Sequence, residues 1–239
     1  MMPQVALQDN NELKINGMAR FTRLEVIQKM KDTGIIPVFY NSDVELCKKV
    51  VKACYDGGIR VFEFTNRGDF ATLVFSELHQ WAIKECPEMI MGVGSVVDGP
   101  TTAMYIALGT NFIVSPLIDE EMARICNKRK ISWSPGCGSV TEIGRAHELG
   151  CEVVKIFPGS AVGGPGFISA LLGPMPYTSI MVTGGVTPDE ENLTKWFKAG
   201  AFCVGMGSQL FPKEVLASGD LGTVTDTCRK CLSIVQKLK

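Results

Sequence analysis

The feature that most constrains this chain is an alternation of two patterns running from Ile35 to the last helical segment. Short apolar runs rich in β-branched and aromatic residues occupy 35–40, 59–65, 89–96, 112–116, 131–135, 153–157, 180–183 and 201–205. Between them lie segments with apolar residues every three or four positions, such as 44–55 and 191–199, which are helices with one face to bury. Strictly alternating β and α units give parallel strands, and eight such units close on themselves. The expected fold is therefore α/β, a (β/α)8 TIM barrel with a parallel eight-stranded sheet. Residues 21–30 read as an N-terminal helix that covers the barrel's bottom. Residues 1–19 read as a polar extension, and residues 20–239 as a single barrel domain.

A weak internal repeat supports this reading. Gly58, Gly109, Gly150 and Gly200 each follow a helical pattern and precede a strand within a few residues. Glycine there supplies the left-handed conformation that ends helices. The four positions precede the second, fourth, sixth and eighth runs, so the unit is a βαβα pair repeated around a ring.

Charge narrows the choice of partner. With 24 basic against 25 acidic residues there is no global field to recruit nucleic acid or an anionic membrane. The expected partner is a small molecule held by a local site. No basic start followed by an apolar stretch opens the chain, and no run of 18 apolar residues occurs, so a cytoplasmic protein without a membrane span is expected. Nine cysteines, an odd number scattered through helices and strands, fit reduced thiols. Cys228-Arg-Lys-Cys231 has CxxC spacing but no second pair and no strand and turn beside it, which argues against a metal or redox role. The two histidines, His79 and His147, stand in helical patterns where a solvated face is expected, so no metal site is expected.

Against this background one lysine stands out. Lys155 interrupts the apolar run Val153-Val-Lys-Ile-Phe157, two residues before the strand stops at Phe157-Pro158. A lysine there can snorkel to the surface. In a barrel, though, chemistry gathers at the carboxyl ends of the strands. An enclosed ammonium loses its proton readily, which yields an amine able to attack a ketone. The second run carries a similar anomaly in Val61-Phe-Glu-Phe-Thr-Asn-Arg67. Glu63 and Arg67 can be a plain ion pair at the mouth; beside an amine, the carboxylate can instead shuttle protons and the guanidinium can grip a carboxylate. Glycines crowd the last two strand ends, at Thr183-Gly-Gly-Val186 and Gly205-Met-Gly-Ser208. These loops can be tight turns. They also stand where such barrels hold phosphate on backbone N–H groups and a short helix's N-terminus.

Taken in order and spacing, these segments with Gly92-Val-Gly-Ser-Val96, Ile113-Val-Ser-Pro116 and Trp133-Ser-Pro-Gly136 resemble the class I aldolases that cleave 2-keto-3-deoxy-6-phosphogluconate (KDPG) and 4-hydroxy-2-oxoglutarate (KHG). The resemblance runs from about residue 20 to the C-terminus. It implies that Lys155 forms a Schiff base, that Glu63 is the general acid and base, and that Arg67 with Ser95 binds the pyruvate-derived carboxylate. It places Pro116 and Phe157 against the pyruvyl group and Thr183 near the sugar hydroxyls. Gly184, Gly185, Gly207 and Ser208 fall at the phosphate. The implied partner is a phosphorylated 2-keto acid, with no metal or organic cofactor and a homotrimeric assembly. Two positions depart from the family pattern. Ser95 replaces the usual threonine, and Gly68 follows Arg67 where a polar residue is common, which implies a looser rim. The rival expectations are a metal-assisted phosphosugar epimerase, which needs inward His and Asp ligands, and a non-catalytic sugar-phosphate-binding barrel.

Overall fold

A computed structural model describes residues 19–239. All but the last residue of the expected extension 1–19 lies outside them. The elements are α1 (Arg23–Thr33), β1 (Ile35–Phe39), α2 (Val44–Asp56), β2 (Val61–Thr65), α3 (Ala71–Glu85), β3 (Ile90–Gly94) and α4 (Gly99–Ala107). They continue with β4 (Phe112–Val114), α5 (Glu120–Arg129), β5 (Ser132–Ser134), β6 (Gly136–Cys137), α6 (Val140–Glu148), β7 (Val153–Ile156) and α7 (Gly164–Leu172). The chain closes with β8 (Ser179–Thr183), α8 (Glu190–Lys198), β9 (Cys203–Met206), α9 (Lys213–Ser218) and α10 (Gly222–Leu238).

The strands form one sheet in the order β5-β4-β3-β2-β1-β9-β8-β7-β6, and every adjacent pair is parallel. Its two end strands are consecutive in sequence. The first is the fifth predicted run and the second continues it past that run's end, with the break at Pro135, which has no N–H to give to a ladder. The ring closes through that proline, whose carbonyl accepts a hydrogen bond from Lys155 N at 2.9 Å. The nine segments therefore make an eight-stranded (β/α)8 barrel. Gly58, Gly109, Gly150 and Gly200 have φ of +96°, +92°, +79° and +107°, so all four take the left-handed conformation that the repeat called for.

The strands face two cores. Their inward side chains Ile36, Val61, Phe112, Val114, Val153, Met181 and Cys203 fill the barrel's lower interior. Val26 and Met30 of α1 close it from below. Thr22 and Glu25 cap that helix reciprocally, and Arg23 ties it to Glu152 at 3.2 Å. The outward side chains, among them Phe62, Phe64, Ile113, Trp133, Val154, Val182 and Val204, pack under the surrounding helices. Each such large side chain contributes about 1.5–3 kcal/mol by leaving water.

The histidines correct the expectation of solvated faces. His79 is 4% exposed, stacked on Phe75 with ring centroids 5.4 Å apart. It shares the buried face of α3 with Ala71, Phe75, Leu78 and Ala82, one helical turn beyond Phe75. Its polar identity hid a core position. Burial pushes its pKa down to about 4, which keeps the ring neutral. His147 is half-buried against Tyr177, and burial lowers its pKa too. All nine cysteines are free thiols in buried positions. Among the described residues no helix is long and apolar enough to cross a membrane.

Candidate active site

β2 and β7 stand across the ring from each other, with three barrel strands between them in either direction. On β2, Phe62 and Phe64 point outward while Val61 and Glu63 point inward; on β7, Val154 and Ile156 point outward while Val153 and Lys155 point inward. Glu63 and Lys155 thus enter one interior from opposite walls, 1% and 5% exposed. Lys155 Nζ lies 4.8 Å from the centroid of the Phe157 ring. Glu63 Oε2 has no hydrogen-bond partner among the described residues.

Burial dominates the electrostatics of both groups. Desolvation lowers the Lys155 pKa, opposed by the attraction of Glu63 and aided by the Arg67 charge. Desolvation raises the Glu63 pKa, opposed by the charges of Lys155 and Arg67. Both shifts favour the neutral forms. A neutral amine is a nucleophile, and a carboxyl group with raised pKa holds a proton that it can give and take back.

Glycines make the room. A Cβ on Gly94 would overlap the Glu63 carboxylate, and one on Gly136 would strike the Pro116 backbone. A Cβ on Gly205 would strike Thr183 Oγ1. Sequence reading placed Gly92 and Gly94 in a family motif without giving them a task. The available signal was glycine inside a strand, which marks a close approach.

At the mouth, Arg67 Nε donates to Ser95 Oγ at 3.0 Å, with Ser95 held at φ +58°. The loop carrying Arg67 is braced where Asn66 N donates to Gly94 O at 2.8 Å and Tyr105 Oη donates to Asn66 Oδ1 at 2.8 Å. The looser rim expected at Gly68 is corrected: the Tyr40 hydroxyl fills the space a Cβ would take there, and its ring packs edge-on against Phe64 at 5.6 Å. Pro116 and Phe157, each partly exposed, follow the ends of β4 and β7.

Thr183, Gly184 and Gly185 end β8 beside Gly207 and Ser208 after β9, because Thr183 pairs in register with Gly205. Gly184 and Gly185 have φ of +99° and +81°. The loop after β7 is fastened to this turn, with Gly159 N donating to Thr183 O at 2.8 Å and Ser160 N to Gly184 O at 3.1 Å. Asn192 Nδ2 and Trp196 Nε1 hold the Gly185 carbonyl from α8 at 3.0 and 3.3 Å. The next helix, α9, begins only at Lys213, and residues 208–210 are turns. The short helix expected to start at the phosphate loop is therefore replaced by turn backbone. Apart from Glu63, which stands in the middle of β2, the expected site residues stand at or just beyond the carboxyl ends of the barrel strands. Sequence reading missed two inward hydroxyls, Thr65 Oγ1 toward the mouth and Ser134 Oγ on the floor side of Lys155, each buried without a hydrogen-bond partner among the described residues.

A parallel eight-stranded barrel with a desolvated lysine facing a desolvated glutamate across its interior defines a class of protein built for amine chemistry on carbonyl compounds. Within that class the chain belongs to the KDPG and KHG aldolase family, whose model matches residues 26–227. It is 31% identical over 212 residues to the 2-dehydro-3-deoxy-phosphogluconate aldolase of Treponema pallidum, covering 89% of this chain and 98% of that one. It is 29% identical over 198 residues to the KHG/KDPG aldolase of Escherichia coli K12, covering 83% and 90%. Among solved structures it superposes with TM-score 0.77 on the KDPG aldolase of Legionella pneumophila, captured with pyruvate as a covalent carbinolamine. That match is 26% identical and covers 85% of this chain and 96% of the other. A thiamine phosphate pyrophosphorylase from Pyrococcus furiosus, TM-score 0.64 at 14% identity, shares the fold alone.

Proposed function

We propose that this protein is a class I aldolase that cleaves 2-keto-3-deoxy-6-phosphogluconate to pyruvate and glyceraldehyde 3-phosphate, with 4-hydroxy-2-oxoglutarate as a second substrate. The observation that carries the reading is the desolvated Lys155 amine facing the desolvated Glu63 carboxyl. The amine adds to the C2 ketone, and Glu63 gives the proton with which the carbinolamine hydroxyl leaves as water. A base, Glu63 directly or through water, takes the C4 hydroxyl proton. The C3–C4 bond breaks, its electrons pass into the iminium, and the aldehyde departs. The enamine is protonated at C3 and water hydrolyses the imine, releasing pyruvate and the free lysine.

Arg67 and Ser95 take the carboxylate in this scheme, Pro116 and Phe157 flank the pyruvyl group, and Thr183 reads the hydroxyls. Gly184, Gly185, Gly207 and Ser208 receive the phosphate. The epimerase reading finds less support, since His79 and His147 stand on α3 and α6, outside the barrel interior. We place the protein in the cytoplasm as a homotrimer. Exposed apolar side chains Phe70, Leu73, Val97, Met104 and Leu117, spread over three consecutive β/α units, support self-association.

Borohydride reduction in the presence of pyruvate tests the chemistry. Mass spectrometry should find a reduced pyruvyl adduct on the peptide containing Lys155, and Lys155→Ala should abolish it. An adduct on another lysine, or none, would refute the mechanism.

A further inference from the structure

The strands on either side of β7 each bring a buried hydroxyl toward Lys155. Thr183 of β8 stands two residues beyond Met181, the register partner of Lys155. Ser134 of β5 stands two residues before Gly136, its partner on the other side. The first hydroxyl is therefore on the mouth side of the lysine and the second on the floor side. Ser134 is 1% exposed and pairs in register with Val114, which faces the interior, while its neighbour Trp133 packs outward. Its Oγ has no hydrogen-bond partner among the described residues.

An unpartnered buried hydroxyl costs free energy that alanine would avoid. Thr65 Oγ1 and Thr183 Oγ1 share this condition, but they stand toward the mouth, where a bound substrate can satisfy them. Ser134 stands on the floor side, in register with Val114, which belongs to the apolar cluster with Val153 and Met181. The extended substrate enters from the other side. What does reach the floor side is small and transient. In the aldolase reading, on which this inference rests, the carbinolamine C–O bond breaks as the nitrogen lone pair forms C=N. The departing hydroxyl takes the Glu63 proton and becomes water, and the same steps reversed hydrolyse the product imine. A buried water needs two or more polar partners. Ser134 Oγ and Glu63 Oε2 are both buried, unpartnered and turned inward.

We propose that Ser134 is a positioning residue for this water, holding it between its hydroxyl and Glu63 when the Lys155 imine forms and again when it is hydrolysed. A catalyst that positions water in both directions changes two rates and no equilibrium. Single-turnover formation of the borohydride-reducible pyruvyl adduct and enzyme-dependent loss of ¹⁸O from C2-labelled pyruvate measure the two directions. In Ser134→Ala both should slow about tenfold, the loss of one ordinary hydrogen bond. The adduct fraction at equilibrium should stay as in the wild type, and the thermal midpoint should not fall. Ser134→Thr, which keeps the hydroxyl, should recover most of both rates. Rates within twofold of wild type in Ser134→Ala would overturn the proposal. So would slower rates accompanied by a matching loss of equilibrium adduct or of thermal stability, since the hydroxyl would then support the lysine or the fold. A wild-type protein that forms no adduct at all would instead bring down the aldolase reading.

Discussion

Gly94 is a glycine because Glu63 needs the space: a Cβ at position 94 would overlap the Glu63 carboxylate oxygen Oε1. β3 therefore seats the carboxylate that β2 carries. Two residues earlier in the same strand, Gly92 faces the Phe112 ring instead. One strand thus holds two glycines with different duties.

Substituting each by alanine should separate them. Gly94→Ala displaces the carboxylate and should lower kcat/KM by about 10²-fold or more, the lower range for a misplaced general acid and base. Gly92→Ala overpacks the barrel floor and should cost about 1–3 kcal/mol of stability. Steady-state kinetics beside thermal unfolding check the pair. Equal effects of the two on kcat/KM would mean that the Gly94 contact has no special bearing on Glu63.

Glu63→Gln keeps the shape and removes the proton. Turnover should fall by roughly 10²- to 10⁴-fold while the fold persists. Removing a buried carboxylate whose Oε2 has no partner among the described residues should leave the thermal midpoint unchanged or higher. A variant with near-full turnover would assign the proton transfer to another group.

Much of this architecture was legible because barrels write their rule into every unit. The alternation of runs placed all eight strands, and the four helix-ending glycines marked the repeat. Lys155 and Glu63 were visible because a charge inside an apolar strand has few structural explanations. What stayed hidden depends on contacts between distant segments. His79 looked polar and solvated because nothing local shows that Gly109, 30 residues on, comes against its ring. The rim at Gly68 looked open because Tyr40, which fills it, lies 28 residues away. The interior hydroxyl of Ser134 drew no notice inside the run 131–135, since only the register with Val114 turns it inward.

The lysine's charge state gives a prediction with a sign. Desolvation lowers the Lys155 pKa, so the rate of pyruvyl trapping should rise with pH and level off below the ordinary lysine value of about 10.4. An ionised Glu63 raises that pKa and Arg67 lowers it. Glu63→Gln should therefore move the apparent pKa down, and Arg67→Met should move it up. Shifts in the same direction would show that the two charges do not act on the amine as argued. The depressed pKa also links to stability. Its contribution is present above the unfolded value and is lost as pH falls through the folded one. Lys155→Met should accordingly raise the thermal midpoint more at pH 6 than at pH 9.

The phosphate contact is the furthest from the reacting atoms and rests on backbone geometry. Gly184 and Gly185 adopt φ values closed to most side chains, and the loop after β7 together with helix α8 clamps that turn in place. Substituting Gly185 would therefore strain the backbone and crowd Ser160, so a loss there would be ambiguous. Gly207 is the better probe. Its φ is not positive, and the nearest atom to a Cβ built there is Val38 O at 3.6 Å. Gly207→Ala should fold as the wild type does and put a methyl group where a phosphate oxygen would approach the backbone. Hydrogen bonds to a charged group contribute about 1.5–3 kcal/mol each, so two of them supply roughly 10²-fold in affinity. The phosphorylated six-carbon acid should then exceed 4-hydroxy-2-oxoglutarate in kcat/KM by at least ~10²-fold. Ser208→Ala should narrow that ratio and Gly207→Ala should narrow it further, each with little effect on the unphosphorylated acid. Assaying both acids on the three proteins decides the matter: equal kcat/KM for the two acids on the wild type would mean that these loops are turns and that the substrate carries no phosphate.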